Sequence, residues 1–249
     1  MTKLALIAVF IAFALPAAAQ VSEPNAESAY PSPKKGDQPD IPGAFVLELG
    51  INSAIDAPER FDLGFWGSRT FNIYYQYEIR ILQSNFSFVP GFGLSLERFK
   101  FRNGATLAYD EDDSLKLILP PEGTIPGLRK SQLVTNYFEV PVEFRFNTNP
   151  SDLGRSFKIA VGGRVGYMYD SFSKLKYEED GENKQLKDKQ NWNLTRFRYG
   201  VYGKLGIGNF GVFGYYNITP LFEEGKGPGE NNVVKDFNTF TLGVSLSAF

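Results

Sequence analysis

Any chemistry in this sequence falls to carboxylates and basic groups, because two common catalytic side chains are missing. The 249 residues contain no Cys and no His. Without thiols there is no disulfide framework, thiol nucleophile or Cys-bound metal. Without imidazole, no Ser-His or Asp-His arrangement can activate a nucleophile. Glu139 and Glu143 sit four residues apart in Tyr-Phe-Glu-Val-Pro-Val-Glu-Phe-Arg-Phe, residues 137–146. On a strand that spacing is about 13 Å, beyond the roughly 5–9.5 Å of a glycosidase carboxylate pair. Residues 206–211, Gly-Ile-Gly-Asn-Phe-Gly, have the glycine spacing of a dinucleotide loop, but such a site needs a helix after it. Here a strand-like run follows, and Gly208-Asn209 reads as a two-residue hairpin turn. The acidic run 110–113 lacks the glycine and terminal Glu of a calcium loop and reads as a solvated loop face. The sequence predicts no enzyme, no catalytic or metal-binding residue and no cofactor. A net charge of −2 offers no basic face to nucleic acid.

The elements that position these charges follow from a period of two. In 137–146, Phe138, Val140, Val142, Phe144 and Phe146 leave one face, and Glu139, Glu143 and Arg145 leave the other, as successive side chains do on a strand. Eight such segments run through 44–52, 69–81, 86–101, 131–146, 155–177, 192–207, 210–223 and 237–249. Apolar and aromatic residues occupy both faces of 210–223, which leaves that segment without an orientation. Long connections (53–68, 102–130, 178–191, 224–236) alternate with short ones (82–85, 147–154, 208–209). An even number of antiparallel strands with short turns at one end and long loops at the other is an outer-membrane layout. Before the strands, Lys3, the apolar run Leu4 to Leu15 and Ala17-Ala18-Ala19 read as a secretory signal peptide, 1–19. Residues 20–42, with five prolines, read as a flexible periplasmic tail, and 43–249 as the barrel.

The apolar sets carry no charge, whereas the opposite faces hold Glu48, Glu78, Arg80, Glu97, Glu139, Glu143, Arg145, Lys158, Arg164, Arg196, Arg198 and Lys204. Three features put the apolar face outward. Its Phe and Tyr are too bulky to fill an eight-stranded interior. Tyr75, Tyr77, Tyr167, Tyr169 and Tyr199 suit an interfacial girdle. The near balance of acids and bases suits a lumen in which they pair. The expected fold is an all-β, eight-stranded antiparallel up-and-down transmembrane β-barrel, with these twelve residues as a lumenal ion-pair network. A secreted soluble lipocalin-like barrel for a ligand is the alternative with its faces reversed.

The strand 137–146 resembles the Tyr-Leu-Glu-Ile-Pro-type strand of PorT-like outer-membrane β-barrel proteins of the Bacteroidetes, and residues 162–167 and 198–203 resemble that family's Gly-spaced strands. The resemblance implies an outer-membrane barrel without an assigned reaction. A founding member serves secretion and gliding machinery, for which no motif is present here. The expected role is structural or partner-binding at the outer membrane, with a narrow, porin-like pore or transporter as the alternative. The expected partners are outer-membrane lipid and lipopolysaccharide, and the barrel-assembly machinery that commonly reads a terminal aromatic such as Phe249. Proteins could be reached through the long loops or the tail.

Overall fold

The structure, a computed structural model, describes residues 43–112, 114–119, 126–230 and 233–248. The expected signal peptide and tail, and Phe249, lie outside the described residues. Eight antiparallel strands form the wall: β1 (Ala44–Ile55), β2 (Arg69–Gln76), β3 (Phe86–Phe101), β4 (Leu128–Asn147), β5 (Phe157–Glu179), β6 (Phe197–Ile207), β7 (Phe210–Asn217) and β8 (Asn238–Ala248). Each pairs with the next, and β8 returns to β1 with Phe45 opposite Ala248. Closure satisfies the backbone groups that an open sheet would expose to hydrocarbon. The chain is an all-β, eight-stranded up-and-down transmembrane barrel.

The alternation places the side chains as the membrane reading requires. Phe45, Leu49, Phe92, Phe138, Val140, Phe144, Val161, Val201, Leu242 and Val244 are each 50–63% exposed on the outer surface. Glu48, Glu139, Glu143, Arg164 and Arg198 are at most 3% exposed inside. A soluble ligand-binding barrel has the reverse arrangement, so that alternative does not describe this wall. Tyr75 and Tyr77 face outward near the end where β1 begins, and Tyr167, Tyr169 and Tyr199 do so toward the other, two aromatic girdles around an apolar band. The segment without an orientation is resolved in β7. Phe213 and Tyr215 point inward, and Phe210, Val212 and Tyr216 point outward.

The two ends differ. At one, Ile207 pairs with Phe210 across a two-residue turn whose first position, Gly208, has φ +58°, a conformation that glycine takes without strain. At the other, three segments expected to be loops contain strands, the shortest being the pair Gly229–Glu230 and Val233–Val234 in the 224–236 connection. β5 runs on to Glu179 and turns through Asp180-Gly181 into Glu182–Asp188. The 102–130 connection holds a hairpin of Thr106–Tyr109 and Leu115–Ile118. Loop residues Phe61, Leu107, Leu117, Trp192, Leu194, Leu221, Phe222 and Phe237 are buried with Phe99, Phe101, Leu133, Tyr137 and Met168 from the inner wall. Phe61 lies 5.1 Å from Phe101 and 4.6 Å from Phe237, ring centre to ring centre. An apolar cap therefore closes the long-loop mouth.

A β-bulge sits where β4 meets β5. Asn136 pairs with Asp170 but Tyr137 pairs with Met168, which leaves Tyr169 as the extra residue. Below it the odd-numbered residues of β5 face outward. Above it Leu175 is buried, and the even-numbered Lys174 and Lys176 take the outer face.

The band predicts the effect of a charge on it. Val140→Arg puts a guanidinium at the apolar surface, at a cost of about 2–4 kcal/mol near the bilayer midplane. Fractionation with a heat-modifiability gel should show loss of the folded band from the outer membrane.

Candidate functional site

The inward charges form one connected chain. Glu78 accepts from Arg145 at 2.7 Å, and Arg145 also pairs with Glu143. Lys204 stands 3.6 Å from Glu143 and 3.2 Å from Glu48. Arg164 pairs with Glu48 at 2.9 Å and donates to the Tyr74 hydroxyl at 3.2 Å. Tyr74 donates in turn to Glu139, and Arg198 joins Glu139 to Glu97 at 2.8 Å each. Neutral groups complete the carboxylates: Asn72 donates to Glu48 at 2.9 Å, Tyr202 to Glu143 at 2.8 Å and Asn147 to Glu78 at 2.7 Å. Charges withdrawn from water are tolerated when every one is paired and hydrogen-bonded.

Local sequence makes these contacts reachable. Glu139, Gly166 and Arg198 lie in one row across β4, β5 and β6, as do Glu143, Gly162 and Tyr202. In each row the middle position has no side chain, so the outer two meet over it. A Cβ on Gly162 would lie 2.3 Å from the Val142 carbonyl oxygen, and one on Gly166 3.2 Å from the Glu139 Cγ. Aromatic rings solvate the two most buried guanidinium groups. The Arg164 Cζ is 4.3 Å from the Tyr202 ring centre and 4.8 Å from that of Tyr215, and the Arg198 Cζ is 3.6 Å from that of Tyr137.

Of the twelve residues assigned to the lumen by alternation, nine belong to this chain of contacts: Glu48, Glu78, Glu97, Glu139, Glu143, Arg145, Arg164, Arg198 and Lys204. Lys158 is half-buried beside Arg145 in a vestibule of about 240 Å³ at the short-turn end, together with Gln76 and Glu78. Arg80 and Arg196 are corrections. Arg80 is exposed and donates to the carbonyls of Gln83 and Ser84 in the turn, and Arg196 is exposed just before β6 begins. Both continue the parity of a strand past the point where there is an interior to enter. The sequence reading missed Tyr74, Tyr202 and Tyr215, although Tyr74 shares parity with Gln76, and Tyr202 with Arg198 and Lys204.

The hydroxyl–carboxylate pairs Tyr74–Glu139 and Tyr202–Glu143 are buried among the braces, and among the described residues no three acids converge as metal ligands. The arrangement is a brace across a closed tube. The fold defines a small outer-membrane-type β-barrel. The family model for "Outer membrane protein beta-barrel domain" matches residues 32–223, and the chain belongs to that family. Two solved structures of Ail, the attachment invasion locus protein of Yersinia pestis, are similar at 15% identity over 82% of this chain and 97% of that one. One is a complex with the heparin analogue sucrose octasulfate, and the TM-scores are 0.32 for the complex and 0.31 for the protein alone. No curated protein matches.

The brace predicts an order of severity. Arg198→Leu strands two buried carboxylates, Glu97 and Glu139, and should destabilise by about 3–5 kcal/mol. Glu139→Leu leaves Arg198 paired with Glu97 and should destabilise less. Urea titration of the heat-modifiable folded band ranks the two.

Proposed function

We propose that this chain is a non-enzymatic outer-membrane protein whose lumen is a cross-braced filling rather than a conduit, and that its work is done by its surfaces. The observation that carries this reading is the burial of the lumen at mid-height. The side chains of Glu48, Glu139, Arg164 and Arg198 there are at most 4% exposed. Eight strands leave an interior just wide enough for side chains to fill, and here those side chains are held by one another. The absence of His and Cys supports the non-enzymatic part.

The role is structural or partner-binding. Outer-membrane lipid, lipopolysaccharide and the barrel-assembly machinery are its immediate partners, and the loops or the segment 20–42 engage proteins. The signal-like residues 1–19 support export, and the Glu-Val-Pro strand within 137–146 supports a place among PorT-like barrels of the Bacteroidetes. A narrow pore is the second reading, favoured by the vestibule beside Lys158.

Planar-bilayer recording of the purified, folded protein separates the two. No stepwise conductance is expected; reproducible steps would replace the filled-lumen reading with the pore.

A further inference from the structure

Six cations stand outward on one side of the wall, in the rows directly above the apolar band. Arg69 of β2 is opposite Arg98 of β3. The next row holds Lys100 and Lys174 on either side of Gln132, and the one above it holds Lys130 opposite Lys176. Their outward direction follows from parity: Leu94 and Leu96 precede Arg98 and Lys100 on the outer face, while Glu97 and Phe99 are buried between them. On β5 the bulge at Tyr169 turns Lys174 and Lys176 outward. Among the described residues, none of the six forms an ion pair.

Among the described residues, therefore, the six face one another with no carboxylate in salt-bridge contact. Burial, then Lys100, Lys176, Arg98 and Lys174, hold the Lys130 ammonium below its ordinary pKa. Burial, then Lys176 and Arg98, act likewise on Lys174. Beside them an aromatic pair is left in the open: Phe65 is 61% and Trp66 74% exposed, with ring centres 5.2 Å apart. Arg69 Nε donates to the Trp66 carbonyl at 2.6 Å.

We infer that this face is a docking surface for the phosphate groups of outer-leaflet lipid, with acyl chains against the Leu94–Leu96 band, phosphates among the six cations and Trp66 at the boundary. The inference rests on the membrane reading of the apolar band. Continuity identifies the occupant. Arg98 follows Leu96, and Arg69 precedes Phe71, by two residues, about 7 Å along a strand. The cations thus begin where hydrocarbon gives way to headgroups, the level at which indole also settles. The end is right as well, because long loops mark the extracellular side. Long cationic side chains reach along such a boundary while their stems stay on apolar surface. A soluble anion would use the cations but would have no need of the band or the aromatic pair.

The test uses the full chain folded into phosphatidylcholine vesicles with or without lipid A, reading lipid A retained after dilution. Wild type should retain it. The combined variant Lys100→Gln, Lys130→Gln, Lys174→Gln, Lys176→Gln should retain roughly a hundredfold less or lower still, since each cation near an anionic surface shifts partition by about fivefold and the four shifts multiply. The single variant Lys176→Gln, at an exposed site, covers the case in which the combined one does not fold, and should lose about fivefold. Undiminished retention by the folded variants overturns the proposal. So does displacement of lipid A by millimolar inorganic phosphate, which would mark a soluble-anion site, or by an acidic peptide, which would mark a protein partner. Insertion into phosphatidylcholine alone reports the band independently. If wild type does not insert there, the membrane reading itself fails, and the inference with it.

Discussion

A charge that no water reaches has to meet its counter-charge at hydrogen-bond distance, and in this protein that requirement organises the interior. Nine ionised groups are linked through Tyr74 into one chain from Glu78 to Glu97. Strand register is fixed from inside and outside at once. A slip of one residue in β4 would send Glu139, Glu143 and Arg145 into hydrocarbon and bring Phe138, Val140 and Phe144 against Arg198, Lys204 and Arg164. Either half of that exchange is costly on its own. The glycines at 162 and 166 belong to the same constraint, because the braces cross the wall only where the intervening position is empty.

The wall was legible in the sequence because lipid and lumen make opposite demands on alternate residues, and in seven segments the outer face carries no charge over the band while the ionised groups share the inner face with a few apolar residues such as Val46 and Val89. The eighth, β7, resisted because its inward residues are also aromatic. Phe213 and Tyr215 present ring faces to Arg164 at 5.5 and 4.8 Å, and that cation is supplied by a distant strand. Which carboxylate meets which base was likewise not readable. Glu48 and Arg164 are 116 positions apart, and only closure of the barrel brings them face to face. Arg80 and Arg196 were misplaced for a simpler reason: the period of two continues into turns that have no inside.

The cap was the least visible part. Phe61 and Leu107 lie in connections that read as polar loops, and Trp192, Leu221 and Phe237 lie at the ends of segments that read as wall strands. No local period marks them, since a core assembled from five separate segments leaves no repeat in any one of them. The molecule thus has two kinds of interior. A polar one fills the height of the membrane, where braces hold the wall. Beyond it lies an apolar one of ordinary globular character, where the loops pack on Phe99, Phe101 and Leu133.

The single extra residue at Tyr169 has a consequence for how such a chain can change over time. Because it reverses the parity of β5 between the band and the outer extension, the two halves of that strand obey opposite rules. Removing that one residue would restore regular pairing, because Asp170 already meets Asn136 and Met168 already meets Tyr137, and would leave Leu175 inward with Lys174 and Lys176 outward. Removing a residue from a regular stretch of the band would instead turn every side chain beyond it to the other face. This strand can therefore shorten by one position at Tyr169, a freedom that the unbulged stretches of the band lack.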